Sequence, residues 1–82
     1  MATLPKDVLL FYEHIVRTQH KSLHRLAMVL LSQKGSIGSI SQAEDAVQEA
    51  FTIAWEKREE FYHHPNPAGW LTITLKNVVK NM

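Results

Sequence analysis

Residues 41–61 are the stretch that most constrains what this 82-residue chain can fold into. The apolar residues there recur at spacings of three and four, which places them on one face of a helix: Ala43, Ala46, Val47, Ala50, Phe51, Ala54 and Trp55. No Gly or Pro interrupts the pattern. Ser41 is followed three residues later by Glu44, which predicts a capping box at the start of the helix. We therefore predict an amphipathic helix that begins at Ser41 and runs to about Phe61.

The opposite face of this helix carries a polar stripe, also at helical spacing: Asp45, Gln48, Glu49, Thr52 and Glu56. Residues 41–61 hold six acidic and two basic side chains, so this part of the chain is strongly acidic. A charged helix face is commonly just a solvated surface. The alternative is a docking surface for a basic partner, and the charge pattern alone leaves both interpretations open.

The distribution of charge is more informative than the net charge of +1. Residues 1–40 carry +3, residues 41–61 carry −4 and residues 62–82 carry +2. An acidic helix between two basic flanks is typical of a protein that meets different partners on different faces.

Composition and length limit the architecture to one domain with one small core. The chain has no cysteine, which excludes disulfides and thiolate metal ligands and favours a reducing compartment. The longest apolar run, residues 26–31, is far shorter than the roughly 20 residues that a membrane span needs. The N-terminus lacks the pattern of a secretion signal. We expect a cytoplasmic domain with no membrane association.

Two further helical regions flank the central one. Residues 5–33 show a helical stripe that weakens over 17–22, so they form either one helix or two. Residues 32–41 read as a loop, in which Gly35 and Gly38 stop the preceding helix and Ile40 packs onto the next one.

After a break at residues 62–67, Asn66 and Pro67 begin a last helix. Its inward-facing residues are Leu71, Leu75, Val78 and Met82. The fold class is all-α, a compact bundle of three to four helices.

The sequence gives little support for metal binding or catalysis. His20 and His24 are four residues apart and could face one side of a helix, but no cysteine or carboxylate stands at a recognisable ligand spacing with them. There is no phosphate-binding glycine loop and no nucleophile elbow. Asp45 and Glu49 form a like-charged pair without a visible cleft. We expect no metal site, no cofactor and no enzymatic activity.

The last loop and last helix combine aromatic, amide and basic side chains. Phe61, Tyr62, His63 and His64 precede a helix that carries Lys76, Asn77 and Lys80. Single-stranded nucleic acid is bound by rings that stack on bases, polar groups that read base edges and cations that contact phosphates. A buried Phe61 with ordinary surface lysines would explain the same residues.

The chain carries the segments Ala-Glu-Asp-Ala-Val-Gln-Glu-Ala-Phe at 43–51, Pro-Ala-Gly-Trp-Leu at 67–71 and Leu-Lys-Asn at 75–77, together with Trp55 and Phe61. These motifs resemble region 2 of bacterial sigma factors of the extracytoplasmic-function group. The resemblance covers residues 11–81. Its most specific part is the Asp-x-Val-Gln-Glu-Ala-Phe core, and the step of nine residues from Phe61 to Trp70 adds to it.

The resemblance assigns a partner to each of the two polar regions. In that family, the polar face of the central helix docks on the clamp helices of the largest catalytic subunit of RNA polymerase. This role would fall on Asp45, Gln48 and Glu49, with Thr52 and Glu56 as neighbours. The following loop and helix of the family recognise and melt the promoter −10 element and capture a flipped base of the non-template strand.

Carried over to this chain, the family's DNA contacts fall on the last loop and the last helix. Phe61, Tyr62, His63 and His64 would shape the base pocket, and Asn77 would contact the flipped base. Lys76 and Lys80 would hold phosphates, which makes binding sensitive to salt. Trp70 would pack beneath the pocket.

One departure from the family's pattern qualifies this interpretation. A complete sigma factor of the group also carries a helix-turn-helix domain, region 4, and the sequence does not encode one, so we expect an isolated region 2 domain, a truncated product or a fragment. The alternative function is a truncated sigma-like helical module that binds polymerase or an anti-sigma factor without reading DNA. Loss of DNA binding on substitution of Asn77, with the fold intact, would separate the two.

Overall fold

The computed structural model describes residues 6–35 and 40–82, which form four helices. These are α1 (Lys6–Gln33), α2 (Ile40–Glu56), α3 (Arg58–His63) and α4 (Pro67–Lys80). The described residues contain no strand, so the predicted all-α class and the number of helices are confirmed. Helices α1, α2 and α4 pack against one another in pairs, and the short α3 closes one end.

Helix α1 is one continuous helix of 28 residues, which settles the ambiguity over residues 17–22. Leu23, Ala27 and Leu31 lie on its buried face at the spacing of one residue per turn. The helix ends at a turn in which Gly35 has a φ of +88°, a left-handed conformation that glycine adopts without steric cost. Gly35 therefore stops α1 as predicted, whereas Gly38 lies outside the described residues.

Helix α2 supplies the centre of the core. Its four alanines on the buried face, Ala43, Ala46, Ala50 and Ala54, are completely inaccessible to solvent. Small side chains at these positions let the backbones of neighbouring helices approach closely, and Val47 and Phe51 fill the remaining space.

The start of α2 differs from the prediction. Ser41 lies inside the helix, which begins by Ile40, and Ile40 is 71% exposed rather than packed on the helix. The capping box and the packed Ile40 were therefore wrong. The Glu44 carboxylate is used in a tertiary contact, because it accepts a hydrogen bond from the ring of His20 on α1.

The predicted helix over 41–61 is also interrupted at Lys57, where φ is −107° and ψ is 34°. A helix continued without a break would place Arg58, four residues after the buried Ala54, on the face that points into the core. In the structure, Arg58 instead donates to the backbone carbonyl of Trp55 at 3.0 Å, and its guanidinium lies 4.8 Å from the centre of the Trp55 ring. Nε of Arg58 is buried without a hydrogen-bond partner among the described residues, and Phe61 lies in the core at 1% exposure.

Helix α4 begins as predicted. Asn66 is the N-cap and its side-chain oxygen accepts from the Gly69 N–H at 3.1 Å, with Pro67 in the first turn. Glycine at position 69 leaves room for this cap, because a Cβ there would lie 2.5 Å from the Asn66 side-chain nitrogen. Thr74 is half-buried on this helix, and its hydroxyl donates to the Trp70 carbonyl at 2.8 Å.

The inward face of α4 is only partly as predicted. Leu71 and Leu75 are fully buried, but the third core position is Val79 instead of Val78, and Met82 is 51% exposed. Leu71, Leu75 and Val79 are spaced by four and therefore lie in one row along the helix. Met82 lies beyond the last helical residue.

Candidate functional site

The polar stripe of α2 forms a continuous exposed ridge. All five of its residues, Asp45, Gln48, Glu49, Thr52 and Glu56, are solvent-exposed, as their shared helix face requires. The Thr52 hydroxyl donates to the Gln48 backbone carbonyl at 2.9 Å, so it is engaged within the helix. The side chains of Asp45, Glu49 and Glu56 therefore give this ridge its negative charge.

One edge of the ridge is tied to α1 by a cluster of ionisable side chains. The Glu44 carboxylate lies 3.0 Å from Nε2 of His20 and 3.9 Å from Nε2 of His24. The hydrogen bond from His20 is the main cause that lowers the pKa of the Glu44 carboxyl below its usual value, and the Gln48 side chain also hydrogen-bonds it. The cluster thus reaches the ridge through Gln48.

His20 and His24 share a partner, Glu44, that the sequence pattern did not indicate. Glu44 stands 24 residues after His20, and no local spacing connects them. Among residues 6–35 and 40–82, no three His, Asp or Glu side chains are arranged to hold a metal ion.

The aromatic residues at the α3–α4 corner form an interlocked group. The Phe61 ring lies between Phe11, with centroids 5.5 Å apart, and Trp70, at 5.1 Å. Tyr62 is half-buried and meets Phe11 edge-on at 5.3 Å. The structure therefore places Phe61 inside the core, beneath the loop, rather than on its surface.

The two histidines of the α3–α4 loop occupy different environments. His63 is exposed and lies 3.8 Å from the Glu59 carboxylate. His64 accepts a hydrogen bond at Nδ1 from the Asn66 N–H at 2.9 Å, so its ring is fixed against the loop backbone. Because Asn66 also caps α4, the orientation of His64 is coupled to the start of that helix.

A groove of about 630 Å³ runs between α2 and α4, and we call it the α2–α4 groove. It brings Glu49 of the ridge together with two residues predicted to contact DNA, His64 and Asn77. Trp70 and Glu60 also line it, and the indole Nε1–H donates to the Glu60 carboxylate at 3.0 Å. The two regions that the sequence analysis treated separately thus meet in one depression.

Other predicted DNA-contacting residues lie outside this groove. Tyr62 and His63 do not line it, and Lys76 and Lys80 are exposed on α4 away from its lining. Glu60 was missed because its contact with Trp70 spans ten residues and the loop between α3 and α4, for which periodicity gives no signal.

Lys34, whose side chain reaches the end of α4, has a structural role. The Lys34 ammonium donates to the backbone carbonyls of Val79 at 2.8 Å, Lys80 at 3.2 Å and Met82 at 2.6 Å. A cation at a helix C-terminus satisfies carbonyls that lack helical partners and complements the helix dipole. Lys34 therefore fastens the end of α1 to the end of α4.

The helices of the described part of the chain include none that is both long and apolar enough to cross a membrane. The family model for sigma-70 region 2 matches residues 15–82. Neither a curated protein nor a solved structure matches the chain.

Proposed function

Because this chain belongs to the sigma-70 region 2 family, we propose that it is the polymerase-binding and promoter-melting module of a sigma factor of the extracytoplasmic-function group. Region 2 of a sigma factor is a non-catalytic domain that takes part in polymerase binding and promoter melting. The observation that carries the proposal is the family match over residues 15–82, which includes α2, α3 and α4 entirely.

The ridge of α2 is the proposed surface for core RNA polymerase. It holds Asp45, Gln48 and Glu49 at its centre, with Thr52 and Glu56 continuing along the same face. Its charge suits a basic partner such as the clamp helices of the largest catalytic subunit, because complementary charges accelerate encounter and fix orientation. The buried alanines on the opposite face pack the helix against the core, so the helix loses little conformational entropy on binding.

The α2–α4 groove and the adjoining α4 surface are the proposed site for the −10 element. His64 and Asn77 share the groove, where an amide can read the edge of a flipped non-template base. Lys76 and Lys80 project from α4 and supply phosphate contacts that weaken as salt increases. In this proposal Phe61 and Tyr62 support the loop from below, and His63 stands at its exposed side.

The second candidate function is a sigma-like helical module that binds polymerase or an anti-sigma factor without reading DNA. It is favoured by the burial of Phe61, at 1% exposure, which withdraws one ring from stacking on bases. The two candidates share the ridge and differ only at the groove. They are therefore separated by variants of the groove alone.

The deciding experiment measures binding of the chain to core RNA polymerase and then binding of that complex to a promoter fragment with an unpaired −10 element. Gln48→Ala/Glu49→Ala should lower polymerase affinity about tenfold or more, because it removes central polar contacts of the ridge. Gln33→Ala/Glu59→Ala is the matched control, since it makes the same two changes at exposed positions outside the ridge. Circular dichroism checks that all variants remain equally helical.

Asn77→Ala tests the DNA step in the same assay. The proposal expects it to bind polymerase like the wild type and to lose most of the affinity for the promoter fragment. If DNA binding is unchanged, the module without DNA reading is the correct function. If the wild type fails to bind polymerase, or the ridge variant binds as well as its control, the proposed polymerase surface is wrong.

A further inference from the structure

A second depression, the α1–α2 groove, lies beside the ridge on the side opposite the α2–α4 groove. It has a volume of about 400 Å³ and is lined by Leu9, Tyr12 and Glu13 of α1 and by Thr52 and Trp55 of α2. Leu9 is 41% exposed, although its neighbour Val8 is buried at 3%. The groove therefore presents an apolar wall to solvent.

The walls of the groove are held rigidly. The Tyr12 hydroxyl donates to the backbone carbonyl of Phe51 at 2.9 Å, which fixes the ring against α2. The Trp55 ring packs on Tyr12 with centroids 5.0 Å apart, and the Arg58 guanidinium lies 4.8 Å from the centre of the indole. A side chain that enters the groove meets surfaces that are already ordered, so the entropic cost of binding is small.

The groove is continuous with the ridge. Thr52 belongs to both, and Glu56 of the ridge follows Trp55 directly. The exposed carboxylate of Glu13 lies on the α1 side of the groove. The carboxylates of Glu13 and Glu56 outnumber the single Arg58 guanidinium at the groove, so a partner that fits here has basic side chains around an apolar one, as the ridge also requires.

We propose that the α1–α2 groove seats one apolar side chain of the basic polymerase helix that docks on the ridge. This inference rests on the proposed function and adds to it one buried apolar contact, which we call the anchor. Polar contacts along the ridge set the orientation and the encounter rate, whereas an apolar side chain buried between Leu9 and Trp55 lengthens the lifetime of the complex. Interfaces commonly depend on such anchors in preformed pockets, surrounded by polar contacts of smaller effect.

The test compares Leu9→Ala with Leu10→Ala in binding of the full chain to core RNA polymerase. Both leucines are exposed, at 41% and 53%, but only Leu9 lines the groove, so Leu10→Ala is a matched control. We expect Leu9→Ala to weaken binding about fivefold or more, through faster dissociation, and Leu10→Ala to stay within about twofold of the wild type. Thermal unfolding should show both variants folded like the wild type.

Salt dependence distinguishes the anchor from the ridge. Leu9→Ala should leave the salt dependence of polymerase affinity unchanged, whereas Gln48→Ala/Glu49→Ala should reduce it, because only the latter removes a charge. If the wild type binds, the ridge variant loses binding and both leucine variants bind equally well, the anchor is wrong and the polymerase surface stands. If the wild type does not bind at all, both proposals are overturned.

Discussion

The ridge of α2 and the α3–α4 corner present their polar residues by different means. The ridge stands on one regular helix whose opposite face is a row of buried alanines, so helical spacing alone aligns its five side chains. The corner is built from a six-residue helix, a loop that contains Pro65 and the start of α4 at Pro67. Its side chains are oriented by ring packing and by hydrogen bonds across the loop.

The comparison shows that the two surfaces differ in how they tolerate change. A substitution on the ridge alters one exposed contact and leaves the helix intact. A substitution in the corner disturbs a set of mutually dependent contacts, since His64, Asn66 and Gly69 are linked through successive hydrogen bonds. The following predictions test this difference through the stability of the protein.

The largest effect is expected for Phe61→Ala. Phe61 is 1% exposed and packs on Phe11 and Trp70, so its removal leaves a cavity between α1, α3 and α4. We expect the free energy of unfolding, measured in urea, to fall by about 3–5 kcal/mol. Phe61→Leu retains much of the volume and should lose clearly less. A loss below about 1 kcal/mol for the alanine variant would contradict the interlocked corner.

A smaller effect is expected for Ala50→Leu in α2. Ala50 is completely buried, and the close approach of neighbouring helices leaves no space for a larger side chain. Urea unfolding should show a loss of about 1–3 kcal/mol. Glu56→Leu places the same side chain on the exposed face of the same helix and should stay within about 0.5 kcal/mol. Equal effects of the two substitutions would show that the alanine face does not determine how α2 packs.

The smallest effect is expected at Glu44, where the ridge meets α1. The hydrogen bond from His20 lowers the pKa of this carboxyl in the folded protein below the value of 4.5 that it has without the contact. The ionised carboxylate therefore stabilises the folded state above pH 4.5, and this contribution is lost as the pH falls through the lower, folded-state pKa.

Measurement of unfolding against pH for the wild type and Glu44→Gln isolates this effect. The difference in unfolding free energy between them should be largest above pH 4.5 and should close at lower pH. Glu59→Gln is the control, because Glu59 and His63 are 75% and 71% exposed and such a pair contributes little to stability. A pH-independent difference for Glu44→Gln would show that its contact with His20 is not made in solution.

The sequence by itself determined the elements that follow from local spacing. It gave the all-α class, the central amphipathic helix, the stop at Gly35 and the start of α4 at Asn66 and Pro67, because periodicity, caps and helix breakers act over a few residues. The sequence also determined that the five ridge residues lie on one face, because the spacing within a single regular helix is enough to align them. The motifs that resemble sigma region 2 lie in these same segments, which is why the family was recognisable from the sequence.

Only the tertiary structure decided how these elements meet. Glu44 is paired with His20 instead of capping α2, the helix is interrupted at Lys57, and Val79 takes the place expected for Val78. Lys34 reaches the end of α4 across 45 residues or more. These contacts join residues far apart in the chain, and their geometry depends on the packing of whole helices, which no local pattern encodes.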